Sequence, residues 1–184
     1  MKKIRLIIII SVLNLNFGFS QTKSEIDLLL NGILETENSI EITKTRQAKK
    51  IIAFGENSLK ILAEFFTDSS LTKIKSECQN RNLTKGEIAI IVADKIEKMP
   101  YFLLTGMQNC LLEFCKDNPN LIEYYLPSIK YIGIEKFKEK YVEWLSWKKL
   151  SKREKRKIER KKKREYKRKM KELEKIPAGN TVHN

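Results

Sequence analysis

The chain has 184 residues, a formal net charge of +14, 41% hydrophobic residues and one histidine. This length is enough for one domain with its own core plus appended segments. The only histidine, His183, lies in a segment, 177–184, that we expect to be disordered. The body of the chain therefore has no His-based metal site and no Ser-His or Cys-His catalytic arrangement.

The first twenty residues, MKKIRLIIIISVLNLNFGFS, have the order of a secretory signal peptide. A basic start precedes an apolar run from Leu6 to Leu13, which is far shorter than the roughly 20 residues of a spanning helix. Gly18 and Ser20 supply the small residues that signal cleavage before Gln21 requires. We expect a mature, exported chain without a transmembrane span, either periplasmic or secreted. The alternative is a buried N-terminal segment.

Helical signals dominate the body, which we place at residues 21–133. Thr22 with Glu25, and Thr84 with Glu87, have the spacing of capping boxes ahead of apolar residues with helical periodicity. Sustained alternation of apolar and polar residues is absent from the sequence, and DSSLTKIKSECQNRN is predicted to be a turn with at most a short helix. The fold class is therefore predicted to be all-α, with strand content near zero.

The segment AKKIIAFGENSLKILAEFFTD resembles one HEAT-type repeat, in which a helix ends at an apolar residue and Gly, a second helix carries spaced Leu residues, and an Asp closes the unit. Those positions are held by Phe54, Gly55, Leu59, Leu62 and Asp68. Ile74 and Lys75 would correspond to the pair that opens the next repeat. The resemblance implies HEAT-like stacked helical hairpins that present an interaction surface rather than a catalytic site.

The next stretch, LTKGEIAIIVADKIEKMPYFLLTGMQNC, departs from the HEAT pattern. It resembles small exported bacterial proteins of unknown function, and this resemblance implies no mechanism.

Three cysteines, Cys78, Cys110 and Cys115, would lie in an oxidising compartment if the chain is exported. Cys110 and Cys115 are placed on diverging faces of a predicted helix, so they should not pair with each other. We predict a disulfide from Cys78 to Cys110, with Cys115 as the alternative partner. Three free buried thiols remain the other possibility, and a metal site of three thiolates is the remotest one.

Candidate catalytic groups are sparse. Five carboxylates lie on helix faces that we expect to be solvated: Asp94, Glu97, Glu113, Asp117 and Glu123. The glycines stand singly, so the sequence has no loop of the kind that cradles phosphate. We expect no enzyme activity, no cofactor and no metal. A hydrolase-type enzyme would require Asp94, Glu97 and Glu113 to meet on one wall of a pocket.

The positive charge is concentrated near the end of the chain. Residues 21–147 hold 17 basic and 18 acidic residues, whereas 148–175 hold 17 basic residues and 5 Glu. The body is therefore nearly neutral, and the net +12 of the later segment accounts for the basic character of the whole chain.

Residues 134–176 are predicted to form one long helix that is basic from residue 148. On a helical wheel, an apolar stripe runs in phase from Phe137 and Tyr141 through Ile158 to Tyr166 and Met170. A basic back carries the residues that we predict to contact an anionic surface: Lys152, Arg153, Arg156, Lys157, Arg160, Lys161, Lys163, Arg164, Lys167, Arg168 and Lys171.

These observations predict an exported helical interaction or scaffold protein whose basic C-terminal helix contacts an anionic envelope surface or an acidic protein partner. The first alternative is a protein that binds nucleic acid without sequence preference. The second alternative, from a different class, is the hydrolase-type enzyme.

The signal-peptide hypothesis predicts that the mature protein begins at Gln21. Mass spectrometry of the protein isolated from its native host should find this N-terminus. Recovery of chains that retain the Met1–Ser20 segment would contradict export by this route.

Overall fold

A computed structural model describes residues 22–108, 115 and 117–173. The chain divides into two compact units, Met1–Val142 and Glu143–Asn184. Most of the described residues are helical, which confirms the predicted all-α class.

The α-helices are, in chain order, α1 (Lys23–Ile33), α2 (Arg46–Ala53), α3 (Leu59–Phe65), α4 (Lys85–Ile96), α5 (Tyr101–Thr105), α6 (Ile122–Ile132), α7 (Ile134–Lys149) and α8 (Lys152–Leu173). Two short 3-10 helices precede α2 and α3, at Ser39–Lys44 and Gly55–Ser58 respectively. The strands are β1 (Leu71–Lys75) and β2 (Asn82–Thr84). None of the helices described is both long and apolar enough to cross a membrane. The predicted signal peptide at 1–20 and the predicted disordered segment at 177–184 lie outside the described residues.

Helix α4 is the centre of the first unit. Every residue from Ile88 to Ala93 is buried, on all sides of the helix. Helices α1, α2, α3 and α6 all contact α4. A helix that is apolar all round is stable only inside such a layer of neighbours, since burial of each side chain of this kind contributes about 1.5 to 3 kcal/mol.

The start of α4 confirms the predicted capping box. The hydroxyl of Thr84 accepts a hydrogen bond from the backbone N–H of Glu87 at 3.2 Å, and the Glu87 carboxylate accepts one from the backbone N–H of Thr84 at 2.8 Å. The guanidinium of Arg81 also donates to both oxygens of Glu87, at 2.8 and 2.6 Å. The first turn of α4 is therefore fixed by its own cap and by an ion pair to the residue before β2.

Gly86 allows α4 to begin directly against the end of α3. Its backbone N–H donates to the carbonyl of Asp68 at 2.9 Å. A Cβ atom at this position would overlap the carbonyl oxygen of Phe66 and lie 2.9 Å from that of Phe65. Only glycine fits this approach without a backbone shift.

The prediction that residues 68–82 form a turn without strands is wrong. β1 pairs with β2 in an antiparallel hairpin, with Leu71 opposite Thr84 and Lys75 opposite Asn82. Alternate residues of β1, Thr72 and Ile74, are buried, while Leu71 is exposed. The alternation was hidden in the sequence because a polar Thr occupies an inward position and an apolar Leu an outward one.

The segment that resembles a HEAT repeat is covered by α2, the second 3-10 helix and α3. Gly55 has a φ of +64°, a conformation that suits the predicted helix stop at this residue. Ile74 and Lys75, which the resemblance assigns to the start of a further repeat, lie in β1. HEAT-like stacking stays a prediction.

The prediction of one continuous helix over residues 134–176 is wrong in its continuity. Helix α7 ends at Lys149 and α8 begins at Lys152. Ser151 and Glu154 form a capping box, in which the Ser151 hydroxyl accepts from the Glu154 N–H at 3.3 Å and Glu154 accepts from the Ser151 N–H at 2.8 Å. Such a cap starts a new helix and ends the old one.

An ion pair within the second unit confirms that the helix is interrupted. The Lys162 ammonium lies 3.9 Å from the Glu143 carboxylate. In one straight helix these residues would be about 28 Å apart, which the two side chains cannot bridge. The predicted apolar stripe is correspondingly divided, because Phe137 and Tyr141 are buried whereas Tyr166 is exposed.

The close approach at Gly86 generates a prediction. Gly86→Ala should lower the free energy of unfolding by about 3 kcal/mol, because the added methyl group meets backbone that cannot rotate away. Urea unfolding measures the change. Gly32→Ala is the matched control, since its added Cβ meets the flexible side chain of Gln47, and helical Ala is favoured over Gly. Equal stability of the two variants would contradict the packing argument.

Candidate functional site

The predicted basic back lies on α8 and faces solvent. All eleven of its cationic residues are exposed: Lys152, Arg153, Arg156, Lys157, Arg160, Lys161, Lys163, Arg164, Lys167, Arg168 and Lys171. Among residues 152–172, only Lys155 and Ile158 are half-buried. The cations of α8 are therefore exposed to solvent and are not buried in packing contacts.

The charge of α8 is largely uncompensated. Lys152–Leu173 contains fourteen basic residues and four Glu, a net charge of +10. Glu165 and Glu172 lie 4.0 and 3.8 Å from cations one helical turn earlier, Lys161 and Arg168. Exposed pairs at such distances contribute little to stability, at most about 1 kcal/mol each, and leave the positive field in place.

The first of the four glutamates, Glu154, has a structural role. Glu154 belongs to the Ser151 cap, and hydrogen bonds from the Ser151 side chain and backbone lower the pKa of this carboxyl. Its negative charge also lies in the first turn of α8, where the helix dipole favours an anion. The N-terminus of the basic helix is thus set by a local sequence signal.

A second candidate site is the Glu123 cluster, a buried polar group in the first unit. Its members are Glu123, Ser39, Ser76, Gln79, Asn118 and Asn120. The Glu123 side chain is fully buried, which contradicts its predicted position on a solvated helix face. One oxygen, Oε1, accepts hydrogen bonds from the hydroxyls of Ser39, at 2.9 Å, and Ser76. The other, Oε2, accepts from Asn118 Nδ2 at 2.6 Å.

The surrounding polar groups hold this arrangement in place. Gln79 Nε2 donates to the backbone carbonyl of Glu123 at 2.5 Å. Asn120 Nδ2 donates to the carbonyl of Ser39 at 2.6 Å. Both carboxylate oxygens are therefore engaged by donors from three separated segments. A carboxylate satisfied in this way joins those segments and is not placed to act as a general base.

A disulfide adjoins the cluster and corrects the predicted pairing. Cys78 is joined to Cys115, not to Cys110. Cys115 was predicted to lie on the same helix as Cys110, but its backbone has a left-handed φ of +40°, which is not helical. The Cys115 carbonyl instead accepts from the Asn118 N–H at 2.8 Å, in the turn that leads to the cluster. Cys110 lies outside the described residues.

Asp94 is also buried rather than solvated, with 3% of its surface exposed. Its carboxylate accepts from the Met99 N–H at 2.9 Å, from the Tyr101 hydroxyl at 3.1 Å, and pairs with Lys98 at 2.9 Å. Burial, and then the charge of Asp94, raise the pKa of Tyr101 far above its usual range, so this hydroxyl stays a donor. These contacts fix the connection from α4 to α5.

The hydrolase-type alternative requires Asp94, Glu97 and Glu113 to line one pocket, and the described residues do not show this arrangement. Asp94 lines a small cavity of about 200 Å³ together with Lys95 and Lys98. Glu97 is not among the residues that line it, and Glu113 lies outside the described residues.

A larger cleft, of about 640 Å³, lies beside the β-hairpin. Its volume is in the range of small-molecule sites, and its walls are mainly apolar, with Phe66, Leu126 and Ile129 among them. Arg81 and Glu87 lie at this cleft, but they bind each other, and the Glu87 hydrogen bonds raise the pKa of Arg81. The cleft therefore offers mainly apolar surface, and its charged lining consists of this ion pair together with Asp68 and Lys130.

Within residues 22–108, 115 and 117–173, no group of three or more His, Cys, Asp or Glu side chains is placed to hold a metal ion. His183 lies outside the described residues.

Comparison of the chain with protein-family models, with curated proteins and with solved structures gave no match.

The Glu123 cluster generates a prediction. Glu123→Gln should lower the free energy of unfolding by about 1 to 3 kcal/mol, because an NH₂ group would then face another donor. Asn118 cannot relieve this by turning its amide, since its Oδ1 accepts from the Asn120 N–H at 2.7 Å. Urea unfolding of the oxidised protein measures the change. The exposed residue Glu139 supplies the control, Glu139→Gln, and an equally small effect of both variants would show that the cluster contributes nothing specific.

Proposed function

We propose that this protein is an exported helical scaffold whose α8 binds an anionic surface of the cell envelope. The observation that carries the proposal is the exposure of all eleven predicted cations on one helix with a net charge of +10. A compact anion or a single carboxylate would use only a few of these groups. An extended anionic surface can engage many of them at once.

Electrostatics give the proposed contact its strength. Each Lys or Arg close to an anionic membrane contributes about 1 kcal/mol, and the contribution is screened by salt within a Debye length of about 8 Å at physiological ionic strength. The four glutamates of α8 reduce this attraction without cancelling it, because three of them lie in exposed pairs or at the helix start.

The role proposed for the first unit is that of a rigid carrier. Its buried charged residues Asp94 and Glu123 are engaged in hydrogen bonds that connect its own segments. Its overall charge is near zero, so it neither adds to nor opposes the attraction of α8 for an anionic surface.

Two features support export as part of the proposal. The Met1–Ser20 segment has the sequence pattern of a signal peptide, although it lies outside the described residues. The Cys78–Cys115 disulfide suits an oxidising compartment, because cytosolic reductants keep most thiols reduced.

A charge-matched pair of variants tests the proposed function. The first combines Lys163→Gln, Lys167→Gln and Lys171→Gln, which lie on the basic back of α8. It should weaken binding to vesicles of equal parts phosphatidylglycerol and phosphatidylcholine by about a hundredfold at low salt. The second combines Lys49→Gln, Lys60→Gln and Lys73→Gln, which are exposed in the first unit.

The second variant changes the net charge of the chain by the same amount and should bind vesicles like the unaltered protein. Equal weakening by both variants would show that overall charge, not α8, drives the contact. If the unaltered protein binds duplex DNA at low salt but not these vesicles, the envelope proposal fails and the nucleic-acid alternative replaces it.

A further inference from the structure

Two apolar side chains stand out on the charged surface of α8. Tyr166 is 65% exposed and Met170 is 39% exposed. They are four residues apart, so their Cβ atoms are neighbours on the helix surface, about 5 to 6 Å apart. Together they form an apolar pair, defined here as the Tyr166–Met170 pair.

The pair lies at the border of the basic back. With Ile158 set to zero on a helical wheel, Tyr166 lies near 80° and Met170 near 120°. The cations of the basic back begin at about 120°, with Lys152, and continue at about 140°, with Lys163. Lys163 and Lys167 are the nearest of these cations, and both are exposed. On the other side of the pair, Lys155, Lys162 and Lys169 lie near 60°, 40° and 20°. The exposed aromatic ring and thioether are therefore flanked by cations on both sides.

This juxtaposition distinguishes between the anionic partners that α8 could contact. A nucleic-acid duplex offers phosphates but leaves the Tyr166–Met170 pair in water. A lipid bilayer offers phosphates in one layer and apolar chains immediately beneath. Tyrosine favours that interface because its ring is apolar and its hydroxyl can stay hydrated, and long Lys side chains can extend back to the phosphates.

We infer that α8 lies on an anionic lipid bilayer, with the Tyr166–Met170 pair inserted into the headgroup layer and the flanking lysines on the lipid phosphates. This inference rests on the proposed function and identifies the anionic surface as a lipid bilayer. Helices with cations on one face and apolar groups beside them bind in this orientation, parallel to the membrane plane.

The test compares two surfaces with one variant of the full chain, Tyr166→Ser with Met170→Ser. Its affinity for vesicles of equal parts phosphatidylglycerol and phosphatidylcholine should fall about tenfold, because the apolar contribution is lost. Its affinity for duplex DNA at the same salt should stay within about twofold, since every cation is retained. Circular dichroism checks that α8 is still helical.

Two control variants make the result specific. Tyr166→Phe with Met170→Leu keeps the apolar pair and should bind vesicles like the unaltered chain. Leu28→Ser with Tyr131→Ser removes residues that are 73% and 87% exposed in the first unit, and it should also leave vesicle binding unchanged. Weakening by this second control equal to that of the α8 variant would overturn the assignment of insertion to the pair.

The outcomes separate this inference from the proposed function. If the serine variant binds vesicles as tightly as the unaltered chain, insertion is wrong while surface binding by α8 stands. If the unaltered chain binds no vesicles, the proposed function fails first. If sedimentation shows that the unaltered chain self-associates and the serine variant does not, the pair is covered by a second copy of the chain and the bilayer inference is wrong.

Discussion

The first unit depends on one buried carboxylate. Glu123 is fully buried, and a charge in that position is tolerated only when hydrogen-bond donors surround it. Those donors come from Ser39, 84 residues earlier, from Ser76, 47 residues earlier, and from Asn118 in the adjacent turn. The first 3-10 helix, the turn after β1 and the start of α6 must therefore meet at one point. The Cys78–Cys115 disulfide joins two of these same segments covalently.

The parts of this fold that sequence reasoning predicted are those with local causes. The caps at Thr22 and Thr84 depend on residues three positions away. Both bonds of the predicted capping box form at Thr84, and at Thr22 the hydroxyl accepts from the Glu25 N–H at 3.1 Å. The predictions of a Cys78–Cys110 bridge and of a solvated Glu123 were wrong, because the observed disulfide and the burial of Glu123 depend on contacts between distant segments. In the sequence, a glutamate at a helix start looks like any surface residue, because nothing local indicates that Ser39, 84 residues earlier, donates a hydrogen bond to it. The β-hairpin was missed for a related reason. Thr72 is polar but buried, and its hydroxyl donates a hydrogen bond to the carbonyl of Leu83, 11 residues later, at 2.8 Å.

Charge is used in opposite ways in the two units. In the first unit, buried or half-buried charges have close partners: Lys85 lies 2.5 Å from Asp27, and Arg81 binds both oxygens of Glu87. These contacts fix the local geometry of the fold. In α8 the pairs are long, exposed and fewer than the cations. Positive charge of this kind adds nothing to a core and opposes helix formation through repulsion, which agrees with the proposal that α8 contacts a partner outside the chain.

The interruption at Ser151 limits the helical-wheel prediction for the tail to the residues of α8. A helical wheel assigns directions correctly only within one uninterrupted helix, so the predicted alignment of Phe137 and Tyr141 with Tyr166 fails. Within α8 the 100° rotation per residue still holds, and the relation of the Tyr166–Met170 pair to the basic back is retained. Within α8 an aromatic side chain and a thioether are exposed beside cations. The proposed contact with an anionic bilayer makes use of this combination, because a bilayer offers both phosphates and apolar chains.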